Sequence, residues 1–113
     1  MGPGLKLKQR DEAALQDFAL RVRSTLGDRL MALKLFGSKA TGLDAPDLDI
    51  DVLVVVNEVS VDVEDRILAI AFDVNLTHDV YISPRVIGRA TLEDPIWSNT
   101  PFLQAVMREG FSL

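Results

Sequence analysis

Leu35-Phe36-Gly37-Ser38-Lys39-Ala40-Thr41-Gly42, followed after a short interval by Asp47-Leu48-Asp49-Ile50-Asp51 and the run Val52-Leu53-Val54-Val55-Val56, decides the fold of this chain. It reads as a strand, a tight turn, a loop and a second, largely buried strand. A solvated acidic loop would not lead straight into five aliphatic residues. Side chains alternate across a strand, so Asp49 and Asp51 share one face, about 6.6–6.8 Å apart along it. Ile50 and Val52 then point into the core. Carboxylates carried to the edge of a core are costly unless something compensates them, and a divalent cation is the usual compensation. Gly37 lets backbone amides approach a ligand closely, and Ser38 adds a hydroxyl donor, a combination sized for a phosphate. Lys39 is either a further phosphate contact or a solvated lysine. A Gly-Ser turn or an Asp-x-Asp pair alone is a common short motif. Their order and spacing bring both to one end of adjacent strands.

A calcium loop does not fit the same residues. Asp47, Asp49, Asp51 and Glu58 fall at the first, third, fifth and twelfth positions of an EF-hand loop, but its turning glycine is replaced by Val52. The residues that follow are strand-like, and no helix leads directly into Asp47.

Outward from this centre, helices and strands alternate. Leu15, Phe18, Ala19, Val22 and Leu26 recur at helical spacing, which predicts an amphipathic helix over 11–26 stopped by Gly27. A strand is expected over 31–36 and its partner over 49–56. Ser60 is placed to cap a helix over 61–73, with Asp62, Glu64 and Asp65 near its positive end. A third strand is expected over 79–87, with Pro84 at an edge or bulge. Thr100-Pro101 opens a last helix that Gly110 closes. The fold class is α/β of the α+β type, a small mixed sheet flanked by helices.

The chain has 113 residues, enough for one domain over 1–113 with a real core, its first ten residues expected to be flexible. Its net charge of −5 argues against a basic nucleic-acid surface. An acidic chain can still handle a nucleotide when metal ions carry the positive charge. The absence of cysteine excludes disulfides, zinc thiolates and thiol nucleophiles. No apolar run approaches the ~20 residues of a membrane helix, so no membrane association is expected and a cytoplasmic protein is the default.

The segment from Leu35 through Gly42 and from Asp49 through Val54 resembles the minimal nucleotidyltransferase (MNT) family of the polymerase-beta-like superfamily. That family's pattern is a hydrophobic strand, Gly-Ser, a second glycine and an Asp-x-Asp pair opening a strand. Asp79 through Pro84 and Arg108-Glu109-Gly110 also resemble its single-domain members. The resemblance implies the nucleotidyltransferase fold and metal-dependent transfer of a nucleoside monophosphate from an NTP, ATP above all, to an acceptor hydroxyl. Gly37 and Ser38, with Lys39, would hold the triphosphate, and Asp49 and Asp51 would bind two Mg²⁺ or Mn²⁺ ions. Active members add a third carboxylate from a neighbouring strand, and Asp79 is the matching position, as catalytic base or metal ligand; its other reading is a turn aspartate. Leu48 departs from the small polar residue usual before the first aspartate, a position that does not ligate metal.

Larger relatives use a second helical domain that this chain does not supply. In single-domain members a helical HEPN protein of a toxin–antitoxin pair often fills that role. An exposed apolar patch would point to such a partner or to a homo-oligomer. Two functions therefore stand: an active nucleotidyltransferase acting on a partner, or an antitoxin that neutralises by contact with weak or lost catalysis. His78 reads as a loop histidine, Arg85 and Arg89 as surface arginines able to reach phosphate, and Tyr81 as core or pocket wall. Trp97, with Phe102 and Leu103, reads as packing for the last helix.

Overall fold

The computed structural model describes residues 9–37 and 49–113. Ser38, Lys39, Asp47, Leu48 and the expected loop over 42–46 lie outside the described residues. The chain runs α1 (Gln9–Leu26), a short 3-10 turn, β1 (Leu30–Phe36), β2 (Ile50–Val56), α2 (Val61–His78) and β3 (Ile82–Gly88). It ends with α3 (Arg89–Glu93), α4 (Pro95–Ser98), α5 (Pro101–Glu109) and β4 (Phe111–Ser112).

The strands form one sheet in the order β3-β2-β1-β4, antiparallel except for the parallel pair β2–β3 that α2 bridges. A parallel pair needs a crossover of that length. Sequence alternation divides the sheet into two faces. Ile50, Val52, Val54 and Val56 of β2 join Leu33 and Leu35 of β1 against Leu15, Phe18 and Val22 of α1 and Val63, Ile67 and Val74 of α2. Full burial of each such side chain is worth about 1.5–3 kcal/mol, so this face carries most of the stability. Leu53 and Val55 look the other way, where the only other buried residues of their cluster among the described residues are Leu103 and Val106 of α5, with Ala32, Phe36, Ile87, Leu92 and Phe102 partly buried at the margin. Asp49 and Asp51 have the parity of Leu53 and Val55, and so belong to this thinner face.

Helix ends follow their caps. The Ser60 hydroxyl accepts from Val63 N at 3.1 Å, as expected. Thr100 accepts from Leu103 N with Pro101 in the first turn, and Gly110 ends α5 by donating to the Val106 carbonyl. α2, however, runs to His78, five residues past the expected 73, because Val74 is buried in the main core and His78 Nε2 lies 2.8 Å from Asp17 Oδ2 of α1. His78 is thus a half-buried tie between two helices rather than a loop residue. Asp17 is held below the ordinary carboxylate range first by its hydrogen bond with Arg21 and then by that with His78.

The longer helix delays β3, which starts at Ile82 rather than Asp79. Asn75 fixes that start: its side-chain carbonyl accepts from Ile82 N at 2.8 Å and its amide donates to Ile82 O at 3.2 Å. Among the described residues β3 is an edge strand. Ile50 N donates to Tyr81 O, so the backbone groups of Ile82 and Pro84 face the free edge. Proline there has no N–H to leave unpaired. No helix among the described residues is long and apolar enough to cross a membrane.

Candidate active site

The centre of the site is the contact between Gly37 and Asp51. Gly37 leaves β1 with φ +76°, a conformation that L side chains rarely adopt. A Cβ placed on it would lie 2.5 Å from Asp51 Oδ2. Glycine is therefore required twice, for its backbone angle and for the space that the carboxylate occupies. The first residue of the Gly-Ser turn and the second aspartate of Asp-x-Asp do converge.

Around Asp51 the register supplies the remaining walls. It sits opposite Phe36 on β1 and opposite Ser83 on the parallel β3. Asp49, one step back on the same face, is exposed at the mouth. Asp51 is half-buried, and its carboxyl is pushed above the ordinary range, first by burial and then by the like charge of Asp49. Arg85, two residues along β3 from Ser83, opposes that rise. The guanidinium of Arg85 lies 5.0 Å above the ring of Phe102, which meets Phe36 edge-on at 5.4 Å between centroids. Beyond Arg85 the site opens into a groove of about 520 Å³ under the C-terminal helices, walled by Ile87, Trp97, Pro101, Phe102 and Leu103.

Asp79 is not brought to this centre. It is the C-cap of α2, in the left-handed region at φ 54°, with its side chain open to solvent and 3.9 Å from Arg10 Nη1. The parallel register aligns Asp51 with Ser83, four residues beyond Asp79. Among the described residues no group of three or more His, Cys, Asp or Glu side chains is placed to hold a metal ion. Asp79 has instead the turn-like placement of its alternative reading. Tyr81 is exposed rather than core; its carbonyl accepts from Ile50 N, which sets it beside Asp49 on the face of Ser83 and Arg85. Trp97 is more than half exposed against the groove instead of packed beneath α5.

Asp49 and Asp51 offer hard carboxylate oxygens, the donors that Mg²⁺ and Mn²⁺ prefer. Magnesium is commonly held by one or two carboxylates, with substrate phosphates and water completing its octahedron. A half-buried carboxylate raised by a like-charged neighbour is a good place for such a cation, which would offset both costs. The pair fits a metal–nucleotide complex better than a metal held by protein alone.

The family model described as "Nucleotidyltransferase domain" matches residues 18–101, from the middle of α1 to the start of α5. This chain belongs to the nucleotidyltransferase domain family. A Methanocaldococcus jannaschii protein named "Putative protein adenylyltransferase MJ0141" is 32% identical over 97 residues, spanning 85% of this chain and 91% of that protein. Two solved structures share the fold. One, of a mutant toxin–antitoxin MntA–HpeT, has a TM-score of 0.53 at 18% identity, over 87% of this chain and 70% of the other. The second, of a toxin–antitoxin with AMP-PNP, has a TM-score of 0.56 at 16% identity, over 86% and 70%. The expected nucleotidyltransferase fold is borne out.

Within this nucleotidyltransferase, Arg85 and Ser83 are the residues that sequence reasoning undervalued. Their signal was the shared parity of residues 81, 83, 85 and 87. Without the register between β2 and β3 that parity could not be tied to Asp51.

Proposed function

We propose that this chain transfers AMP from ATP, with Mg²⁺ or Mn²⁺, to a hydroxyl group on a partner protein. The observation that carries the reading is the Gly37–Asp51 contact, which supports a phosphate-binding turn meeting a metal-binding carboxylate pair. Asp49 and Asp51 would hold the metal–nucleotide complex, and Gly37, with Ser38 and Lys39, would cradle the β- and γ-phosphates. Bound metal would draw charge from the phosphates as it develops on the leaving oxygen. The acceptor oxygen forms its bond to the α-phosphorus as the bond to the bridging oxygen breaks. Pyrophosphate leaves with that electron pair, and the hydroxyl proton passes to solvent at the open mouth.

Relatives support the nucleotide and the acceptor class. The M. jannaschii relative carries a protein-adenylyltransferase name, and one fold neighbour was crystallised with AMP-PNP. A partner is also supported by an uncovered apolar stripe on α2, where Leu68, Phe72 and Leu76 recur at four-residue spacing and are all exposed. Solvent-facing apolar runs of this kind mark interaction surfaces. A helical HEPN protein or a second copy of the chain would suit it.

Purified chain, with and without the protein encoded beside it, should be incubated with Mg²⁺ and α-labelled ATP. Label is expected on the partner, and an Asp49→Asn, Asp51→Asn double variant should abolish it. No label on any protein, under conditions where a complex forms, would sink the reading. A second reading is favoured by the position of Asp79, which leaves the described site with two carboxylates: an antitoxin acting by contact alone. Full neutralisation by the double variant would select it.

A further inference from the structure

We propose that the groove between β3 and the C-terminal helices is the acceptor subsite, taking an apolar side chain next to the attacking hydroxyl, with Arg85 as a positioning residue at its mouth. This rests on the nucleotidyl-transfer reading above.

The argument is one of order across the sheet. Nucleotidyl transfer places the attacking and leaving oxygens on opposite sides of the phosphorus. Gly37 ends β1, so pyrophosphate held at its turn lies on the β1 side of the carboxylates. β2, bearing Asp49 and Asp51, stands between β1 and β3. The attacking oxygen must then arrive from the β3 side. The nucleoside, an equatorial substituent on the same phosphorus, departs across that line rather than along it. On the β3 side, and on the same face as Asp51, the structure has a groove of about 520 Å³. That volume falls within the range of small-ligand sites, roughly 300–1,000 Å³.

The lining matches such an occupant. Ile87, Pro101, Phe102 and Leu103 make its walls apolar, and Trp97 stands half-exposed at the rim. Arg85 belongs to both places: it lines the groove, and its charge is felt by Asp51. Seated over the Phe102 ring, its guanidinium is held where it can direct an oxygen emerging from the groove toward the phosphorus. Arg85 is itself exposed, as a group at the mouth must be to meet an incoming substrate, yet it keeps both neighbours, the Phe102 ring and Asp51.

Trp97 is the chain's single tryptophan, so its emission reports on this groove alone. N-acetylphenylalanine amide is the probe. It should change Trp97 emission saturably, with a dissociation constant on the order of millimolar, and do so equally with saturating AMP-PNP and Mg²⁺ present. Displacement of the probe by AMP-PNP would make the groove a nucleobase seat and overturn the proposal, as would the lack of any response. In the transfer assay, Arg85→Ala should raise the KM for the partner about tenfold, some 1.4 kcal/mol, while nucleotide affinity holds within about twofold. Arg85→Lys should recover most of the loss. Equal effects on nucleotide and partner, or no rescue by lysine, would remove Arg85 from the role. If the wild-type chain transfers nothing, the transfer reading fails by that result, whereas the probe titration bears on the groove independently.

Discussion

Two residues at the site face each other with opposite demands. Gly37 must remain without a side chain because Asp51 Oδ2 fills the space. Gly37→Ala should therefore cost at least about 1–3 kcal/mol from the left-handed backbone angle alone, with a further penalty for displacing the carboxylate. Urea unfolding should show that loss, and metal-dependent nucleotide binding should weaken with it. Asp51 is the opposite case, a residue that the metal-free fold would hold more cheaply uncharged. Burial and Asp49 raise its carboxyl above the unfolded value of 3.8. A raised folded-state value means that its contribution is fully present below pH 3.8 and is lost as pH rises through the folded value. Asp51→Asn should then melt higher than wild type at neutral pH in chelator, with the gap closing as pH falls toward 3.8. Mg²⁺ with nucleotide should reverse the order by stabilising only the wild type. A gap that is constant across pH would contradict the burial account.

At the scale of elements, the strand ends and helix starts were legible because they are written in local chemistry. Gly37, Ser60 and Thr100-Pro101 act on their immediate neighbours, and each marks a boundary where it was expected. The C-terminal end of α2 was not legible. Asp73-Val74-Asn75-Leu76 suits either a helix or a turn into a strand, and long-range contacts decide: Val74 with the core, His78 with Asp17, Asn75 with Ile82. That extension is what carries Asp79 away from Asp49 and Asp51. α3, α4 and β4 were likewise unassigned, being too short for any periodicity to show. Asn75 is the hinge of the matter, since its amide stands in for a missing strand at the edge of β3. Asn75→Ala removes two hydrogen bonds, each worth about 0.5–1.5 kcal/mol net. A loss of about 1–3 kcal/mol in stability is expected, with faster amide exchange at Ile82. Unchanged exchange there would mean that Ile50 alone fixes the strand.

On the scale of the whole molecule, the chain presents two distinct surfaces. One is the face of Asp49 and Asp51 with its groove; the other is the α2 stripe of Leu68, Phe72 and Leu76, on a helix whose opposite side is in the main core. The reach of a sequence stops at this scale, because the i, i+4 apolar pattern of α2 looks the same whether it faces a core or a partner. A Phe72→Lys change removes exposed apolar area without touching the core. It should leave the melting temperature nearly unaltered and reduce self-association, or co-purification with the neighbouring gene product, in light-scattering and pull-down measurements. A large drop in melting temperature would show that Phe72 serves the fold itself.

The unequal cover on the two sides of the sheet also sets an order of loosening. α1 and α2 rest on a large shared core, whereas α3 to α5 are held by a few side chains around Leu53 and Val55 and by the two-residue β4. Regions with few buried contacts open by themselves at lower free energy. Deuterium should therefore enter α5 and β4 well before the central strands, in a cooperative unit separate from global unfolding. The molecule would thus breathe on the side of Asp49, Asp51 and the groove while its scaffold stays shut, and on the proposed function an incoming acceptor would meet the half best able to reshape around it.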